Sequence, residues 1–395
     1  MQTLKNFRPT TLVTVAAFFL AIGTFTSVSL QGLYQVLMLF PLLYFTKRAW
    51  GRQFRLPVSS WLWLAFGVWA AVTVFVNWAI IPKPTANLGK VKYYFLAALG
   101  IFPLGAWLKV VSDRTLSRLF RWFVVSMVVA GAYVLISRGF IDRNMRPLTE
   151  TMRYGYGTAL VLVLMLGLVL SKRERAWVGE RWAWVGMAFG LAGIVMLNSR
   201  GAQAAFLLGA WATLWFWKRK LALAATLVLG LAGGFVTWNY FYGSSERSSV
   251  RILANKNNNS DVMRRSQWQA AWKAFGERPV MGWGMGNFHS QVDRIKQQYD
   301  LDKKDYNDAH AHNVLLEIAA GTGLIGVLLF VSAFLVWMWE VWVEGGAHRA
   351  FLLPLFLAII FEAQFEVILD ANNATMFSFL YALSFSTQKR YQLMV

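Results

Sequence analysis

Cysteine is absent from this chain of 395 residues. That excludes structural disulfides and thiolate metal sites, and it leaves the compartment open. Charge is scarce as well. Asp, Glu, Lys and Arg make up 15% of the chain against 57% hydrophobic residues, and the mean hydropathy is +0.44. A soluble chain of this length needs more charged surface. Acid is scarcer than base: 19 Asp and Glu face 39 Lys and Arg, for a formal net charge of +20. In a soluble protein that surplus would point to nucleic acid. Here the basic residues fall in short loops between apolar runs, so membrane topology accounts for many of them and nucleic acid is not an expected partner.

What is present in quantity is apolar sequence, in runs of about 18–22 residues, long enough to cross a hydrocarbon core. The expected fold class is all-α: a polytopic membrane protein with about twelve transmembrane helices. The candidate spans are about 10–28, 30–46, 58–78, 92–109, 119–137, 156–171, 182–198, 202–217, 221–240, 318–340, 350–368 and 371–387. The first run is long and lacks a small-residue cleavage site, which reads as a retained helix and not a signal peptide. Several of the 20 tryptophans lie near span ends, as interfacial anchors do. Residues 1–240 thus hold nine spans, 241–317 form a long polar segment, and 318–395 hold three more. Lysine and arginine in alternate loops, such as Lys47 and Arg48, Arg114 and Arg118, or Lys218 and Arg219, place both termini in the cytoplasm and the long segment on the opposite side.

That opposite side is basic too, which the topology rule does not explain. It carries Lys83, Lys90 and Lys92; Arg138, Arg143, Arg146 and Arg153; Arg200 in the turn Asn198-Ser199-Arg200-Gly201; and Arg247, Arg251, Lys256, Arg264 and Arg265. Singly, such residues read as lipid-headgroup contacts. As a set they predict a concave site for an anionic, phosphorylated, lipid-borne ligand, together with contact to membrane lipids.

The stretch from Ser260 to Gly326 is the longest polar interval, and it holds three of the four histidines, His289, His310 and His312. From Asp261 to Phe275 the spacing of Trp268, Ala271, Trp272 and Phe275 predicts a helix with an apolar face, capped by Ser260 or Asp261. Arg264 or Arg265 borders that face, either reaching headgroups or clamping phosphate oxygens. The run Gly282-Trp283-Gly284-Met285-Gly286 resembles a phosphate-binding loop only weakly. It lacks the flanking strand and helix, and reads as a tight buried turn. If Asn307 or Asp308 caps the next helix, His310 and His312 lie in its first turn about 200° apart, so only one faces a given site. A helix N-terminus disfavours imidazolium, which suits a general base. A metal site from His310, His312 and Asp308 would need a strand there, so no metal ligands are assigned. Glu317 is expected to hold Asn313 or a neighbouring arginine.

Taken in order, Ser199-Arg200-Gly201 at a span end, Arg264 or Arg265 before Trp268, Pro279 with Gly282, Gly284 and Gly286, then His312-Asn313 with Leu316, Gly321 and Gly326 resemble the O-antigen ligase and polymerase superfamily of bacterial envelope enzymes. The resemblance implies a GT-C-like glycosyltransferase of the bacterial inner membrane with a periplasm-facing site. Its donor would be an undecaprenyl-diphosphate-linked glycan and its acceptor, in ligase members, the lipid A–core, with no cofactor. On that reading Arg200 and Arg264 or Arg265 neutralise charge on the leaving diphosphate, and His312 deprotonates the acceptor hydroxyl. Lys83, Arg138, Arg143, Arg146, Arg153, Trp268 and Asn313 would bind substrate. No adjacent carboxylate pair is evident, which favours direct displacement with inversion, and the arginines can do what a metal does elsewhere. The rivals are an O-antigen polymerase, a ligase with a protein acceptor, and a transporter. A transporter would more often show polar or broken spans near the midplane or internal repeats; these spans show few midplane charges, with Glu362 and Glu366 the notable exceptions.

Overall fold

The computed structural model describes residues 9–50, 56–141, 151–171, 175–197, 199–228, 231, 259–301, 310–345, 348–364 and 373–385. Among these residues every regular element is helical. The elements that matter below are α1 (Pro9–Thr26), α2 (Val28–Trp50), α3 (Val58–Val76), α4 (Pro84–Leu99), α5 (Ile101–Val110), α6 (Asp113–Ile136), α7 (Thr151–Leu170), α8 (Glu180–Met196) and α9 (Arg200–Trp217). A helix over 219–228, α10, follows. Then come α11 (Asn259–Glu277), α12 (Phe288–Gln298), α13 (Val314–Glu344), α14 (Arg349–Glu362) and α15 (Asn373–Phe385).

Each apolar run of the sequence overlaps a helix. The run at 92–109 is divided between α4 and α5, because Pro103 has no N–H to give the Leu99 carbonyl and its ring crowds that turn. Among the described residues α1, α3, α6 with its extension to Ile141, and α13 are long and apolar enough to cross a membrane, by length and composition. Where α3 and α13 meet, the core is aromatic: Trp63 of α3 meets Phe330 and Phe334 of α13 and Phe377 of α15 edge-on, the arrangement the ring quadrupole favours.

Helix directions follow from individual contacts. α13 runs antiparallel to α3: Glu340, near its end, accepts from the Val58 N–H at 2.7 Å, while Trp69 Nε1 donates to the Thr322 carbonyl at 2.8 Å. Glu340 also takes the Ser59 hydroxyl, and so caps an α3 N-terminus that Pro57 cannot cap. Gly155 of α7 lies on Ser199 and Ala202 of α9, and Val163 lies on Gly209, so these two run parallel. Gly167 meets Phe351 of α14, while Tyr156 and Leu160 share a cavity wall with Ile359, so α14 runs against them. Gly193 of α8 meets Tyr154, and Met196 reaches Gly139 beyond α6. Small residues at these crossings let the backbones close up.

One end of the bundle therefore collects the ends of α3, α6, α8 and α14 and the starts of α4, α7, α9 and α13. Arg114, Arg118 and Arg121 at the start of α6, Lys218 after α9 and Arg349 at the start of α14 lie at the other end.

Candidate functional site

The segment from α11 to the start of α13 packs on the α3, α4, α13 and α14 part of the first of these ends. Its anchor is the glycine loop between α11 and α12. Gly282, Gly284 and Gly286 adopt φ of 65°, 96° and 70°, a region costly for any residue with a Cβ. The loop sits on a break in α13, where Gly323 leaves the helical conformation at φ 68° and ψ −168°. The break leaves carbonyls of the preceding turn without helical partners, and the loop supplies them. Trp283 N–H donates to Ala320 at 2.9 Å and Gly284 N–H to Gly321 at 2.8 Å, while the Leu324 N–H returns a bond to the Pro279 carbonyl at 2.7 Å. On the other side Met285 N–H donates to Thr73 Oγ1 at 3.2 Å, and Arg278 donates to Asn77. The run is thus a tight buried turn, and those loop N–H groups are spent on protein acceptors, not held out as an anion cradle.

This docking gives a sharp prediction. A Cβ on Gly282 would stand 2.5 Å from the Gly321 carbonyl carbon, whereas one on Gly276 meets nothing within 4 Å. Gly282→Ala is expected to lower the unfolding temperature of the purified protein markedly. Gly276→Ala should leave it unchanged or raise it slightly, since alanine is the better helix former by about 1 kcal/mol. Equal melting temperatures would contradict the docking.

Trp283 locks the loop to both flanking helices. Its ring lies between the guanidinium groups of Arg278 and Arg294, 4.0 and 4.5 Å from its centroid. Its Nε1 donates to Ala274 at 3.1 Å, and Arg294 pairs with Glu277 at 2.6 Å. Beneath lies a small core of Ala270, Ala271, Ala274, Phe288, Val292, Ile295, Ala311 and Ala320. Ala311 belongs to the histidine loop, so this core joins α11 and α12 to that loop.

The histidine loop departs from the helical phase read from the sequence. Asn307 and Asp308 lie outside the described residues, and the cap of α13 is Asn313, whose Oδ1 accepts from the Leu316 N–H at 3.0 Å. His310 and His312 therefore precede the helix. Their rings do not point apart; they adjoin, with centroids 4.2 Å apart. His312 is 3% exposed and left-handed at φ 45°. His289 is exposed in the first turn of α12. The far side of the Asn313 amide reaches Gln364 at 3.3 Å, and the Val314 N–H donates to Ala363 at 2.8 Å, which ties the loop to the end of α14. Glu317 does not hold Asn313: its Oε2 accepts the Ala311 N–H at 2.8 Å.

On α11 the structure separates the two adjacent arginines. Arg265 is exposed, while Arg264 is partly buried with a buried Nε that has no hydrogen-bond partner among the described residues. The same holds for Nε1 of Trp268, one turn on. The buried face is Ser266, Gln267, Ala270, Ala271 and Ala274, and Trp272 is 62% exposed. The aromatic spacing misled here because the alanines, not the larger rings, let α11 approach its neighbours. Ser260 and Asp261 lie inside the first turn of α11, which begins at Asn259, and do not precede it as caps.

The other basic residues are spread around the same end. Lys83 is exposed just before α4, Arg138 partly buried in the π turn after α6, and Arg200 exposed as the first residue of α9. Arg153 lies in the first turn of α7. Arg143, Arg146 and Glu366 fall outside the described residues, and Glu362 is buried at the close of α14. The structure thus gathers His312 and Asn313 with Glu317, Gln364 and, through the small core, α11. Arg138, Arg153 and Arg200 belong to the α6–α9 sector of that end. Gln364 carried no signal in the sequence, since its role arises only from where α14 stops. Among the described residues no cluster of three metal-ligating side chains occurs.

With every regular element among the described residues helical, apolar spans and a basic, histidine-bearing end, the chain is of the multi-pass membrane class. Within that class its resemblance to the O-antigen ligase superfamily is borne out: the O-antigen ligase family model matches residues 185–331. That range includes Arg200, Arg264, Arg265, Trp268, the glycine loop and His312. The chain is also similar to the exopolysaccharide production protein ExoQ of Rhizobium meliloti (strain 1021), with 24% identity over 300 residues. The match covers 70% of this chain and 65% of ExoQ, a little under two thirds of that relative's length.

Proposed function

We propose that the protein is an O-antigen ligase of the bacterial inner membrane. It transfers O-antigen glycan from undecaprenyl diphosphate to the lipid A–core, with inversion and without a metal ion. In this reading it spans the membrane about twelve times and both termini are cytoplasmic. Residues 241–317 form a periplasmic segment between spans one to nine in residues 1–240 and the last three in 318–395. The observation that carries the reading is the gathering, at one end of the bundle, of the starts of α4, α7 and α9 with Arg264 and the buried His312. A lipid-anchored phosphorylated donor could meet that end from the bilayer.

The acceptor hydroxyl gives its proton to His312 and attacks the anomeric carbon. The bond from that carbon to the diphosphate oxygen breaks, and the electron pair leaves with the diphosphate. Arg200 and Arg264 oppose the charge that grows there. Lys83, Arg138, Arg143, Arg146 and Arg153 draw the anionic donor to this end, Trp268 offers a ring to the glycan, and Asn313 holds the histidine loop. Arg265, exposed beside Arg264, guides the donor and does not clamp it.

Activity is expected to survive exhaustive chelation, because the chain has no thiolate and a surplus of cations. Loss of turnover in chelator, restored by one divalent ion, would overturn the arginine-for-metal assignment. The second reading is a polymerase, favoured by the relative named for exopolysaccharide production. Reconstitution with glycan donor and rough lipopolysaccharide separates the two: glycan on lipid A–core supports the ligase, and lengthened donor supports the polymerase. Flux without transfer would support a transporter.

A further inference from the structure

His312 is held in a conformation that L residues with a Cβ disfavour, and such outliers persist only where the surroundings impose them. Two side chains flank it. On the C-terminal side Asn313 caps α13 and reaches Gln364. On the N-terminal side the Ala311 N–H is bound by Glu317, a carboxylate 8% exposed that the proposed chemistry does not use. We propose that Glu317 is a positioning residue: it fixes His312 by clamping the Ala311 amide. The proposal rests on the reading of His312 as the base.

Burial pushes the Glu317 carboxyl above the usual carboxylate range, and the Ala311 N–H, His310 of the loop, Lys90 of α4 and His289 of α12 act in the opposite direction. Gly321 lies one turn beyond Glu317 on the same face of α13, and a Cβ there would come within 3.6 Å of Gly286 N. Lys90 passes Gly286 in turn, its Nζ 3.2 Å from where a Cβ would stand. The glycine loop thus opens a path along which a lysine from α4 approaches the carboxylate. The clamp itself is local, joining residues six apart, while Lys90 comes to it from more than two hundred residues away in the chain.

The test separates the clamp from catalysis by reading His312 directly. Full-length protein is treated with diethyl pyrocarbonate, and modification of each histidine is followed by peptide mass spectrometry. Glu317→Ala and Glu317→Asp, the latter one methylene too short to reach the amide, are expected to raise His312 labelling about tenfold; Glu317→Gln keeps an acceptor oxygen and should stay near the parent level. In transfer assays the first two variants should lose about tenfold or more in kcat with donor KM nearly unchanged, as for a misplaced catalytic group, and Glu317→Gln should recover most of it. Unchanged His312 labelling in Glu317→Asp would overturn the clamp, as would equal labelling of the Gln and Ala variants. If the labelling pattern holds but the parent protein transfers no glycan, the clamp stands and the catalytic reading falls.

Discussion

His312→Ala is expected to lower glycan transfer by about 10²–10⁴-fold, the usual contribution of a positioned general base, while donor binding persists. His312 is 3% exposed, stands next to the cap of α13 and is left-handed. Alanine at that φ carries a backbone penalty of about 1–2 kcal/mol, and histidine tolerates the region somewhat better, so the substitution should add only a little strain to the loop. Asparagine tolerates that region better, which provides a control: His312→Asn should lose transfer to the same degree and melt no lower than the parent. The adjoining His310 ring supports His312 from 4.2 Å, so His310→Ala is expected to cost only about tenfold, well short of a general base. His289→Ala, on an exposed turn of α12, should keep most activity. An inactive His310→Ala beside an active His312→Ala would exchange the roles of the two rings. If all three alanine variants were active, no histidine would be the base.

The arginines are expected to divide. Arg200→Ala and Arg264→Ala should each cut transfer by about 10²-fold or more with the protein folded, since a preorganised donor to a developing oxyanion is worth roughly 3 kcal/mol. The Nε of Arg264 is buried with no hydrogen-bond partner among the described residues, and Arg200 begins α9, where the helix dipole adds to its charge. Arg264→Lys should rescue little, because an ammonium lacks the fork that meets two phosphate oxygens at once. Arg265→Ala, on the exposed flank, should lose less than about tenfold, as expected of a solvated charge. Near-normal turnover in monodisperse Arg200→Ala or Arg264→Ala would remove that arginine from the site.

Local chemistry explains which parts of this arrangement were legible in the sequence. Apolar runs announce helices because burial of the backbone in a nonpolar layer demands internal hydrogen bonds. Gly282, Gly284 and Gly286 announced a tight turn because only glycine adopts φ so readily above zero. What stayed hidden depended on partners distant in the chain. The cap at Asn313 competes with Asn307 and Asp308 by local rules alone, and the Val314–Ala363 bond that helps to place it joins two helices about fifty residues apart. Glu317 looked like a partner for Asn313 by its spacing of four, yet Asn313 was taken by the helix end, and the Ala311 amide became the acceptor's target. Trp268 and Trp272 looked like core by size, while close approach of α11 favoured the alanines.

In the proposed reaction this chain moves a glycan by breaking its bond to a polyprenyl diphosphate. The most direct measurement follows released polyprenyl diphosphate and acceptor-bound glycan together, in proteoliposomes carrying labelled polyprenyl-diphosphate glycan and rough lipopolysaccharide. The account predicts that both rise in equal amounts with the parent protein and that neither rises with His312→Ala. Labelled glycan crossing the bilayer while still joined to its diphosphate, with no free polyprenyl diphosphate, would contradict it.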